Sequence, residues 1–168
     1  MTTEFVTDLV TRATDIPARN EDVRLQHLWL SLLPHSWRSL AVLGASSGVP
    51  TIEVANSLAH IAWTYTGQPC VVFDMRDLTL RGLEQQVRDM GAQLRGGERV
   101  FIALRSLAEN PTASPLAIAS DAVVLCVQLG KTDIKNARKT VERVGRERFL
   151  GSLVVSPDGT PASIAATE

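Results

Sequence analysis

The sequence predicts an α/β protein built on a single doubly wound, mainly parallel sheet with helices on both faces. Three observations carry that prediction. From Leu40 onward, short apolar runs alternate with longer helical ones, which is the rhythm of strand–helix repeats. The apolar runs, such as "LAVLG" and "AVVLCVQ", are continuous rather than alternating. Each therefore buries both faces and belongs between two helix layers. The length, 168 residues, suits one domain with one core.

The elements follow in order. Residues 1–19 form a polar lead, with Phe5, Val6, Leu9 and Val10 as a short amphipathic turn that Pro17 stops. Asn20 suits a helix N-cap, and Glu21 and Asp22 place negative charge on the first turn of a helix running to Pro34. Its apolar side includes Val23, Leu28 and Leu32. Strands are expected at 40–44, 69–74, 98–104, 122–128 and 149–155, and helices at 51–65, 80–94, 115–119 and 133–146. Leu83, Val87, Met90 and Leu94 fall on one buried helix face by spacing, as do Ile134, Ala137, Val141 and Val144. The main domain spans 20–155, and the small, polar segment 156–168 is expected to be a loose tail.

Composition narrows the function. The net charge is −1, so the whole molecule has no strong pull toward nucleic acid or acidic lipid, and any such pull must come from a local patch. Cys70 and Cys126 each sit inside an apolar run, which predicts buried, inert thiols. No apolar stretch approaches the roughly 20 residues that cross a bilayer, and the first residues carry no basic-then-apolar signal pattern. A cytoplasmic location is expected, with recruitment to the inner membrane face by a partner left open.

The stretch "LAVLGASSGVPTIEVANSLA" has the layout of a phosphate-binding loop: strand, small-residue turn, helix. A working loop, GxxxxGK[ST], wraps phosphates with backbone N–H groups, neutralises them with its lysine and holds magnesium with its hydroxyl. Gly44, Gly48 and Thr51 are in place, but Val49 and Pro50 stand where the lysine belongs. A lysine about 4 Å from a phosphate is worth roughly 4 kcal/mol at an effective dielectric near 20, about a thousandfold. Pro50 also removes a backbone donor. The second "GKT", at 130–132, lacks the first glycine and is not such a loop.

With these motifs, the chain resembles the cytoplasmic module of bacterial tyrosine kinases that control capsule and exopolysaccharide synthesis, of the deviant P-loop class shared with MinD and ParA ATPases. The likeness covers about residues 21–155. "EDVRLQHLWL" is similar to the E-x-x-R-x-x-R helix that packs such kinases into rings; Glu21 and Arg24 match, and His27 replaces the second arginine. "VANSLAHIA" resembles the A-N-L-A helix with Ser57 inserted. "CVVFDMRD" is similar to the second strand ending in D-x-D, with Asp74 matching and Arg76 in the second aspartate's place. "RVFIALRSLAENP" looks like the third strand, with Ala103 where the family has an aspartate. "SDAVVLCVQLGKTDIKNARKTVERV" is similar to the family's "ADGVLLVVRLGKT" strand and following helix, and "FLGSLVV" to the strand after that. The sheet-building positions agree; the lysine and two magnesium-organising carboxylates do not.

What the resemblance implies is therefore a pseudo-ATPase. No catalytic residue, no metal and no Mg-ATP cofactor are expected, and Gly44, Gly48, Thr51 and Asp74 are vestigial loop positions. The expected role is a regulatory or scaffolding subunit of exopolysaccharide biosynthesis or export. It would self-associate through Glu21, Arg24 and His27 and meet the cytosolic segment of a membrane polysaccharide co-polymerase. Two alternatives stay open: a divergent ATPase or kinase whose cation comes from Arg76 or a neighbouring subunit, and a MinD/ParA-type positioning protein.

Lys131, Lys135, Arg138, Lys139 and Arg143 make a basic face. It reads either as a solvated surface or as a docking face for an acidic partner or a membrane. Without interleaved aromatics, nucleic acid is the weakest partner class. Trp29 and Trp37 read as core or interface rim. His35 and His60 have no partners at metal spacing, and Ser46 and Ser47 lack a nucleophile elbow.

Overall fold

The computed structural model describes residues 9–17 and 22–166. Seven strands form one sheet: β1 (Val10–Arg12), β2 (Ser39–Gly44), β3 (Cys70–Asp74), β4 (Arg99–Leu104), β5 (Ala122–Gln128), β6 (Phe149–Val155) and β7 (Pro161–Ala166). Five helices accompany them: α1 (Val23–Leu32), α2 (Thr51–Thr66), α3 (Leu80–Arg95), α4 (Ala113–Ala119) and α5 (Ile134–Val144). The strand order is β1-β3-β4-β2-β5-β6-β7, with the five central strands parallel and both outer strands antiparallel. The fold class expected from strand–helix alternation is thus an α/β protein with one seven-stranded, mainly parallel sheet.

The core lies in two layers. On one face α1 and α2 bring Leu28, Trp29, Val54 and Leu58 against Leu40, Val42, Phe101 and Val124. On the other, α3, α4 and α5 bring Met90, Leu116 and Val144 against Leu43, Phe73, Ile102 and Leu125. All six residues of β2 are buried, which is why its run is apolar throughout. Trp29 and Trp37 belong to the core rather than a rim. Arg99 stacks over both, its guanidinium carbon 4.3 Å from the Trp37 ring centroid and 5.4 Å from that of Trp29.

Several expectations are corrected. The tail is not loose throughout, because Pro161–Ala166 pairs antiparallel with β6 and packs against α1. Arg24 pins it, donating from Nη1 to the Pro161 carbonyl at 2.7 Å. At the other edge, Leu9 and Val10 do not make an amphipathic turn: Val10–Arg12 pairs with β3, and the Asp74 amide donates to the Leu9 carbonyl. Phe5, Val6, Asn20 and Glu21 lie outside the described residues. The cap of α1 is Asp22, whose carboxylate accepts from the Arg24 amide at 2.8 Å.

Three apolar positions placed on buried helix faces point outward instead: Val23 is 61% exposed, Val87 41% and Ile134 75%. Val23 and Ile134 are the first residues of their helices. On α3, Leu83, Met90 and Leu94 pack on the core as spacing suggested, and Gln86 rather than Val87 is buried beside them.

Candidate functional site

In open α/β sheets the natural ligand crevice lies beyond the C-terminal strand ends, where neighbouring strands send their connections in opposite directions. Here β2 leads away toward β3 on one side and β5 leads to β6 on the other, so that point falls between β2 and β5. The loop 45–50 after β2 and the loop 129–133 after β5 meet there. Ser46 Oγ and Thr132 Oγ1 lie 2.6 Å apart, and Thr132 Oγ1 also accepts from the Gln128 amide at 3.0 Å. The two loops are joined here by their own side chains.

The loop retains a turn but not a free cradle. Gly48 takes φ +78°, the left-handed region glycine favours. Val49, one of the two residues that stand where the lysine belongs, is buried with the α1–α2 core. The Thr51 amide, one donor that could face a phosphate, bonds back to the Val49 carbonyl at 2.8 Å. The Thr51 hydroxyl, 1% exposed, donates to the Leu104 carbonyl at 2.9 Å. A methyl placed on Gly159, in the β6–β7 turn, would meet the Pro50 ring at 3.4 Å, so that turn leans on the loop from outside.

The carboxylates are equally committed. Asp74 ends β3, with β4 between it and β2. Arg76 grips it in a two-pronged pair, Nε to Oδ1 at 2.8 Å and Nη2 to Oδ2 at 2.9 Å. The hydrogen bonds it donates to Asp74 push the guanidinium further above its ordinary range, and the charges of Glu53 and Asp77 add to this. Arg76 is therefore a neutralised partner, not a cation waiting for phosphate. Asp77 pairs with Arg105 at 2.9 Å. Ala103 is fully buried in β4 and supplies only its carbonyl, which accepts from the Met75 amide. Among the described residues, no three His, Cys, Asp or Glu side chains come together as a metal site.

Two clefts adjoin this point. One, about 560 Å³, runs along residues 76–81 and 105–111, where Arg76 and Arg105 are already ion-paired. The larger, about 730 Å³, opens between loop 45–47, loop 106–109 and the side of α5 bearing Asn136, Lys139, Thr140, Glu142 and Arg143. Sequence reasoning missed it, because the basic helix was read by itself; only the strand order sets α5 beside the loop after β2.

The remaining expected residues are scattered. Arg24 is spent partly on β7 and partly on Asp22, 3.8 Å away, while His27 is exposed on α1. Lys131, Lys135, Arg138, Lys139 and Arg143 are all exposed and form no ion pair among the described residues. Of these, Lys139 and Arg143 border the larger cleft and Lys135 and Arg138 do not. Cys70 and Cys126 are free, buried thiols, pushed by burial up to about 11 and about 12. No helix of the described chain is long and apolar enough to cross a membrane. No protein-family model matches the chain, and the search of curated proteins gives no match.

Proposed function

We propose that this chain is a degenerate P-loop NTPase-like scaffold that has lost phosphoryl transfer and acts by binding proteins. On this reading it is a regulatory or scaffolding subunit of bacterial exopolysaccharide assembly. The motif likeness to the capsule tyrosine kinases supplies the biological setting. One observation carries the loss of chemistry: the Thr51 hydroxyl is buried and bonded to the Leu104 carbonyl, while Val49 and Pro50 stand where the lysine belongs and Val49 packs into the core. Magnesium needs hard oxygen ligands and a phosphate held against it. The groups that would supply both are here used to hold the fold together.

Self-association through α1 is supported by Val23, His27 and Leu30, which recur at i, i+4 and i+7 and are all exposed. Arg24 borders that stripe; Glu21 lies outside the described residues. The second partner, on this reading, is the cytosolic segment of a membrane polysaccharide co-polymerase. A relocated catalytic cation at Arg76 is disfavoured by its two-pronged bond to Asp74.

The test is isothermal titration with ATP, with and without magnesium. The proposal expects no magnesium-dependent binding in the micromolar range and no phosphate release. Magnesium-dependent binding or turnover overturns it.

A further inference from the structure

We propose that the 730 Å³ cleft between loop 45–47, loop 106–109 and α5 is a binding site for a small molecule with a phosphate-type anionic head and an apolar body. The argument begins with charge. Asn136, Lys139, Thr140 and Arg143 recur at i, i+3, i+4 and i+7, so one side of α5 turns two cations and an amide toward the cleft. Neither Lys139 nor Arg143 has an intramolecular ion-pair partner among the described residues.

On the opposite wall Glu109 accepts from the Ser106 amide and hydroxyl at 3.3 and 2.9 Å, accepts from Ser47 Oγ at 3.4 Å, and lies 3.6 Å from Arg105. Arg105 also pairs with Asp77 at 2.9 Å, so Glu109 is held by these hydrogen bonds and by one arm of a shared cation. Glu142 offsets one of the two α5 cations, leaving this wall one positive charge in excess. Arginine forks and lysine ammonium groups suit tetrahedral oxyanions. Ala45, Leu107 and Ala108 add an apolar lining. A volume of this size falls in the range of small-ligand pockets, which are mostly apolar with a few convergent polar groups.

The site needs neither magnesium nor the amides of Gly48 and Thr51, so it stands or falls separately from the emptied loop. The probe is 1-naphthyl phosphate, titrated without magnesium and followed by calorimetry, with 1-naphthol as the uncharged comparison. The wild type should bind the phosphate with a dissociation constant below about 1 mM, a modest free energy of association. It should bind 1-naphthol at least about tenfold more weakly.

The double variant Lys139→Ala/Arg143→Ala should lose at least about tenfold, whereas Lys135→Ala/Arg138→Ala, outside the cleft, should match the wild type. Glu142→Gln should tighten binding by removing the opposing charge. All of these positions are exposed, so melting temperatures should stay close together and rule out misfolding as the cause. Equal binding of 1-naphthol, unchanged affinity in the Lys139/Arg143 variant, or no saturable binding at millimolar probe overturns the proposal.

Discussion

Ser46 and Thr132, 86 positions apart in the chain, share a hydrogen bond of 2.6 Å across the point where β2 and β5 part company. It bridges the two loops at the point where open α/β sheets commonly place a ligand. The same economy recurs at Thr51, bonded to Leu104, and at Asp74, held by Arg76. Groups of a kind that could hold phosphate or magnesium are structural here, and this makes their removal a matter of stability.

Thr51→Ala should destabilise the protein by about 1–2 kcal/mol, because it leaves the Leu104 carbonyl short of a buried donor. Urea unfolding checks this. Removing Arg76 should cost less, about 0–1 kcal/mol, since both members of its pair remain roughly 30% exposed and solvent screens them. The reverse ranking would mean that Thr51 is free for another role.

Arg99 lies against Trp37 and Trp29, and burial lowers its pKa from the ordinary value. Arg99→Met should lower stability by about 1–2 kcal/mol and shift the tryptophan emission. An unchanged spectrum and unfolding midpoint would show that the stacking contributes nothing.

Arg24→Ala should loosen β7 rather than change assembly alone. Loss of the bond to the Pro161 carbonyl, worth about 1 kcal/mol, should speed amide hydrogen exchange across 161–166 by roughly fivefold. Unaltered exchange would contradict the pinning role.

The buried thiols set an alkaline limit. Cys126 is raised from 9.0 to about 12 by burial, so above pH 9 the unfolded chain sheds this proton while the native state keeps it. The native state then binds more protons, and stability falls as pH rises from about 9 toward 12, by about 1.4 kcal/mol per pH unit for this thiol. Below pH 9 the contribution is fully present. Cys126→Ala should flatten that decline in urea midpoints measured between pH 8 and 10.5. A slope equal to that of the wild type would contradict the assignment.

The central strands were legible because each is a short, mainly apolar run; Ala122–Gln128 and Phe149–Val155 fall where the sequence puts them, although burial alternates along the second. The edge strands were not. "PASIAA" has small side chains and little strand preference of its own, and it is ordered by pairing with β6 and packing on α1. Spacing also misplaced Val23, Val87 and Ile134, since periodicity marks a face without saying where the neighbouring layer ends. At the site, the missing lysine was plain in the sequence. That Thr132 closes on Ser46, or that Lys139 and Arg143 border the same region, depends on strand order, which no local pattern encodes.

The most direct measurement of the emptied loop is a titration of isotope-labelled protein with Mg-ATP, reading the amide resonances of Gly48 and Thr51. Resonances that stay in place at millimolar nucleotide are the predicted result. Saturable, magnesium-dependent shifts at both amides would contradict the account.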